Sequence, residues 1–237
     1  MLTARRLPAL LLVVLALAAG ACGSTPSPTP RPSPTPVPTP TPTPRPTIPP
    51  GPEVQQVQVV AAGVGVYQLT TIPVAVVRNL AGGHAATSVQ VRFAVFNTAN
   101  QPVGGTDVNI PYIAPGQTMA IAGRIEQSGN LHASASVIGA QWTAASPGDP
   151  LSVGGVTYTC GTCRPGPGYG TAAGTLSAAV GVSVSSLTLT GVCYAGNRIV
   201  GGDTSAETVT TLPKPIQEPV IISEVPDRCE IYASPGS

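Results

Sequence analysis

The chain has 237 residues, of which 9% are charged and 4% aromatic, and its formal net charge is +1. Four of the eleven basic side chains (Arg5, Arg6, Arg31, Arg45) precede residue 53, whereas all ten acidic ones lie at or beyond it, so the rest of the chain is net acidic. That distribution excludes a nucleic-acid partner, which would need clustered Lys and Arg. One Trp, six Tyr and two Phe leave any core to Val, Ile, Leu and Ala.

Residues 1–22 read as an export signal. Arg5 and Arg6 precede the apolar run Leu7 to Ala19, and the small residues Ala19, Gly20 and Ala21 suit a signal peptidase. The run is shorter than the ~20 apolar residues a membrane span needs. Ala19-Gly20-Ala21-Cys22 resembles the lipobox of bacterial lipoproteins, with Ala19 where Leu is usual. The resemblance implies lipid attachment at Cys22, which would hold the protein on the outer face of a bacterial membrane. The competing reading is a plain secretory peptide with an incidental cysteine. Residues 23–52 are a Pro/Thr-rich linker of Thr-Pro and Ser-Pro steps, too poor in apolar residues to bury a core. Polyproline II rises ~3.1 Å per residue, so a fully extended stalk would reach ~90 Å. Its composition also permits O-glycosylation.

A first domain is expected over 53–145. Strands are predicted at Gln55–Ala61, Val74–Arg78, Val89–Phe96, Val108–Ile110, Thr118–Ile125 and His132–Trp142. In Val89–Phe96 the side chains of Val89, Val91, Phe93 and Val95 alternate with Gln90, Arg92, Ala94 and Phe96, the period of a half-buried strand. The following NTANQPVGG reads as a turn. About a hundred residues later LTLTGVCYAGNRIVGG does the same, with Leu187, Leu189, Gly191 and Cys193 on the core parity. Asn100, Val103, Gly104 and Gly105 match Asn197, Val200, Gly201 and Gly202. Phe96 aligns with Tyr194 once the second turn is shortened by one residue. Such a repeat means two copies of one small domain, hinged at Ser146–Pro150. The second is expected over 151–234, with strands at Val156–Thr159, Thr171–Leu176, Ser185–Tyr194, Glu207–Leu212, Val220–Val225 and Cys229–Ala233. Frequent turns and the absence of a helical period make the fold class all-β, two tandem immunoglobulin-like β-sandwiches.

Phe93-Ala94-Val95-Phe96-Asn97 resembles the F-x-L-Y-D motif of FxLYD domains, with Val for Leu, Phe for Tyr and Asn for Asp. An earlier strand ending in Asn (Val76-Val77-Arg78-Asn79) and an L-x-P-G-Q-like turn (Ile113 to Gln117) are similar too. The resemblance covers residues 66–140. In the second copy Gly191 to Ala195 keep only the aromatic, and Leu212-Pro213 lacks the Gly. It implies an exported bacterial β-sandwich, often on a lipoprotein, and brings no catalytic residues.

Cys160-Gly161-Thr162-Cys163 could be a redox pair, but that chemistry uses a helix N-terminus, and Arg164-Pro165-Gly166-Pro167-Gly168 forbids a helix. A four-cysteine zinc site would need Cys193 and Cys229 to arrive as a pair, and they come singly. Export favours structural disulfides. Side-by-side first and last strands in the sandwich predict Cys160 with Cys229 and Cys163 with Cys193, the local Cys160–Cys163 bridge being the rival. His84 and His132 belong to no catalytic or metal motif and read as exposed bystanders, while Trp142 reads as a plug at the sandwich bottom or domain junction. No catalytic residue, metal or cofactor is expected. Phe96 and Tyr194, on the outer parity of equivalent strands, are candidates for surface recognition. The expected function is non-catalytic: a lipid-anchored surface protein binding another envelope protein or an extracellular polymer. The alternatives are an accessory factor for envelope assembly or secretion that pairs strand edges with clients, and a thiol–disulfide oxidoreductase. A carbohydrate-binding module is disfavoured by the scarcity of aromatic residues.

Overall fold

The computed structural model of the protein describes residues 56–146, 150–162, 166–179 and 185–235. The expected signal peptide, Cys22, the linker, hinge residues 147–149 and Cys163 lie outside them. Described residues form thirteen strands: β1 (Val57–Tyr67), β2 (Thr70–Asn79), β3 (His84–Asn97), β4 (Pro102–Ile113), β5 (Thr118–Ala122), β6 (Ile125–Glu126), β7 (Leu131–Ala144), β8 (Leu151–Cys160), β9 (Gly168–Ala178), β10 (Ser186–Ala195), β11 (Arg198–Thr208), β12 (Lys214–Ile222) and β13 (Arg228–Pro235). The fold is all-β, with every pairing antiparallel.

The two copies share one topology. In the first, sheet β1-β2-β5 faces sheet β4-β3-β7; in the second, β8-β9-β12 faces β11-β10-β13. The second pair is joined into one six-stranded sheet by a corner where only Gly201 and Gly202 of β11 meet Ile222 and Ile221 of β12. The corner needs glycine, since a Cβ on Gly201 would lie 2.0 Å from the Ile221 carbonyl oxygen. Even the irregularities repeat. The register slips between Val95 and Phe96 in the β3–β4 hairpin, and between Cys193 and Tyr194 in β10–β11.

The copies stack, and the described residues form one compact unit. Three apolar layers lie between the stacked sheet faces. Val89, Val91, Phe93, Ala75, Val77 and Ile121 fill the first sandwich, and Leu176, Leu187, Leu189, Val220 and Ile231 the second. Between them a third layer joins Ile72, Val74, Val76, Ala120 and Ala122 of the first copy to Val192, Tyr194 and Ile199 of the second. Sheet β1-β2-β5 is thus covered on both faces. This is why β2 reads TTIPVAVV without polar alternation: Ala75 and Val77 face one core while Val74 and Val76 face the other. Polar contacts cross the same layer. The Ala122 N–H donates to the Thr204 hydroxyl (2.9 Å), and Arg124 pairs with Asp203 (2.8 Å).

Two expectations on the elements need correction. Pro102 to Gly105 belong to β4 and not to a turn, which is confined to Asn97–Gln101. Gly105 and Gly202 are strand positions of close backbone approach, where a Cβ would come within 2.7 Å of the Phe93 oxygen and 2.2 Å of the Gly191 oxygen. The strand expected at Glu207–Leu212 is the end of β11 followed by a turn. Asn79 and Gln117, from the motif positions, staple two loops. The buried Asn79 amide donates to the carbonyls of His84 (2.9 Å), Ile113 (3.1 Å) and Ala114 (3.2 Å) and accepts from the Ala81 N–H, while Gln117 accepts from the Ala114 N–H.

Candidate binding cleft at the junction of the repeats

The second half of β1, Ala62-Gly63-Val64-Gly65-Val66, lies where the two copies meet. Its glycines let backbone approach backbone: a Cβ would sit 2.4 Å from the Ile199 oxygen at Gly63 and 2.0 Å from the Ile221 oxygen at Gly65. The Ser223 hydroxyl fastens this contact, lying 3.2 Å from the Val64 oxygen and 3.0 Å from the Val200 oxygen. Beside it opens a cleft of about 600 Å³, bounded by Ala62, Gly63, Val64 and Val66, by Gly129–Ala133 leading into β7, and by Arg198, Ile199 and Glu224 from the second copy. That is the size and placement of small-ligand and peptide sites, which favour junctions between domains. Arg198 and Glu224 form an ion pair at the mouth, with 69% and 40% of their side-chain surfaces exposed. A pair so exposed adds little stability and is open to exchange for a ligand's charges.

His132 lines the cleft and stacks on Phe96 with ring centroids 5.3 Å apart. The equivalent pair in the second copy is Tyr194 with Arg228, whose guanidinium stands 4.2 Å from the ring centroid. Register explains the equivalence, since His132 is opposite Phe96 and Arg228 opposite Tyr194. Their environments differ. Phe96 is half-buried, whereas Tyr194 is only 7% exposed, inside the layer between the copies. Surface recognition by Tyr194 is therefore ruled out by its burial: its side chain does point outward from the second sandwich, but the outer face of β10 is covered by the first copy. Its hydroxyl reaches Glu230 (3.4 Å), which also accepts from Tyr232 (2.6 Å), and burial raises the pKa of both tyrosines. His84 is exposed at the start of β3, and Trp142 packs against the first core.

The cysteine pairing also differs from expectation. Cys193 is bonded to Cys229, so Cys229 does not pair with Cys160, nor Cys193 with Cys163. β13 lies next to β10 and places the two residues directly opposite, with Cα atoms 4.1 Å apart. In the first copy the same positions hold Val95 and Ala133. Cys160 is disulfide-bonded as well. Among the described residues no three His, Cys, Asp or Glu side chains gather into a metal-binding group.

One buried acid was not singled out by sequence. Glu218 faces the second core between Ile216 and Val220 and is fully buried. One carboxyl oxygen accepts from the Ser205 hydroxyl and the other has no hydrogen-bond partner. Burial is the main cause that pushes its pKa up to about 8; the Ser205 bond opposes this, and the charges of Asp203 and Glu207 add to it. Asp203 is itself raised by burial, against the Thr204 N–H and Arg124. No protein-family model matches the chain, and no curated protein sequence is detectably similar.

Proposed function

We propose that the chain is a non-catalytic lipoprotein of the bacterial cell surface. Cys22 carries the lipid, residues 23–52 act as spacer, and the two FxLYD-like sandwiches bind another envelope protein or an extracellular polymer. The observation that carries this reading is the junction cleft. Two sandwiches stacked through a continuous apolar layer present a cavity of ligand size at the end of β1 away from where the linker enters. The export signal and the lipobox-like Cys22 supply the address.

Two measurements on intact cells test it. Wild-type protein should partition into the detergent phase, and Cys22→Ala should move it to the aqueous phase. A photo-crosslinking residue in place of Asn130, at the cleft, should give a discrete adduct that one in place of Leu80, at the other end of β2, does not. Unchanged partitioning refutes the anchor, and equal labelling at both positions refutes the cleft as the binding surface.

A further inference from the structure

β1 is an edge strand, paired with β2 on one side only. Its register sets Val64 opposite Pro73, which has no N–H, and the Pro73 carbonyl accepts from the Gly123 N–H on its other side (2.9 Å). Facing residues in an antiparallel pair alternate between exchanging both hydrogen bonds and exchanging none. Val64–Pro73 exchanges none, and neither do the pairs two residues away, Ala62–Ala75 and Val66–Thr71. The backbone N–H and C=O groups of Ala62, Val64 and Val66 therefore point away from β2, and all three residues line the cleft. Among the described residues, only the Val64 oxygen is engaged there by a side chain, that of Ser223. Across the cleft stand Leu131–Ala133, opening β7, the edge strand of the facing sheet. The cavity thus lies between the edges of two sheets, with small residues (Ala62, Gly63, Ala133) in its walls.

We propose that the cleft takes an extended segment of a partner polypeptide, added as a strand along Ala62–Val66 and facing Leu131–Ala133. This rests on the surface-binding reading above and selects polypeptide over polymer. Strand addition supplies affinity through main-chain hydrogen bonds, with specificity left to alternate side chains. A strand takes roughly 3.3 Å along its axis, 4.8 Å to its neighbour and 10 Å between sheets for each residue, ~160 Å³. About 600 Å³ therefore holds roughly four residues. A glycan is the poorer occupant. Sugars stack on open aromatic faces, and the one aromatic ring among the described lining residues, His132, is itself stacked on Phe96.

The test uses the full chain, purified in detergent, immobilised and panned with a phage-displayed library of random octapeptides. Enriched sequences are synthesised with a fluorophore. Affinity is expected to fall about tenfold when amides of one parity are N-methylated, and to hold when those of the other parity are. Ala62→Pro should weaken binding similarly, because it removes an N–H that the β1–β2 ladder does not use. Should that variant misfold, hydrogen exchange decides in the wild type: the Ala62 amide must slow on peptide binding. No enriched octapeptide, or binding indifferent to N-methylation with unchanged Ala62 exchange, overturns strand addition. Retention of the protein on isolated envelope glycan without peptide enrichment overturns strand addition and leaves the surface-binding reading standing. Retention on neither, together with no crosslinked adduct at Asn130, removes both.

Discussion

Replacing Glu218 by glutamine should make the protein more stable at alkaline pH and leave it nearly unchanged in acid. In the folded state the carboxyl titrates near pH 8, against 4.5 for an ordinary glutamate, chiefly because burial disfavours its charge. An acid whose folded pKa is raised contributes stability that is full below pH 4.5 and is lost as the pH climbs through 8. At ~1.36 kcal/mol per pH unit within that window, the loss between pH 5 and pH 9 comes to about 4 kcal/mol. Glutamine keeps the volume and the Ser205 contact and never ionises. Urea melts at pH 5, 7 and 9 would measure the effect as a falling midpoint in the wild type and a flatter series in the variant. Equal pH dependence in the two proteins would refute the reasoning, because it would mean that Glu218 titrates alike in the folded and unfolded chains.

Further outcomes follow from the packing. Asn79→Ala should cost roughly 2–3 kcal/mol, since it removes the side-chain donor to the buried Ile113 and Ala114 carbonyls, the second of which keeps the Gln117 N–H, and the acceptor of the Ala81 N–H; chemical denaturation measures it. Gly65→Ala should cost about 1–3 kcal/mol, because its Cβ meets the backbone of β12, whereas Gly82→Ala, where a Cβ meets nothing within 4 Å, should be close to neutral. Cys193→Ser with Cys229→Ser opens a loop of 36 residues and should cost about 4 kcal/mol. Because the copies share an apolar layer, that loss should appear in a calorimeter as one transition and not as early melting of the second copy alone. Residues 53–145 alone would expose Ile72, Val74, Val76, Ala120 and Ala122 and should self-associate on a sizing column.

Alternation made most of each sandwich legible. Val89, Val91, Phe93 and Val95 are buried as their parity demands, and so are Leu187, Leu189 and Cys193. What parity cannot supply is which strand lies beside which. The Cys193–Cys229 bond depends on β13 meeting β10 in one register, and no local pattern encodes that. The glycine pairs misled for a related reason: a residue chosen for close approach and one chosen for a turn look alike in a sequence. The junction did leave a trace. The unbroken apolar run from Ile72 to Val77 has no polar face, which in an antiparallel sheet signals cover on both sides. Glu218 left none, because one acid at a core-parity position of a short strand is indistinguishable from a solvated one until its neighbours are known.

The course of β1 also sets how the protein would bear a pull. Tension from the linker enters the fold at Val57, and a ligand in the cleft would hold it near Ala62–Val66 of the same strand. The load then runs lengthwise through the covalent backbone of β1 from Val57 to Val66, so the hydrogen bonds to β2 need not bear it, and those between β1 and a strand-like ligand would be strained together in shear and not opened one after another like a zip. At the far end of the chain, the covalent link between β10 and β13 keeps the last strand from being peeled away. Anchorage, grip and mechanical resistance would then converge on one strand.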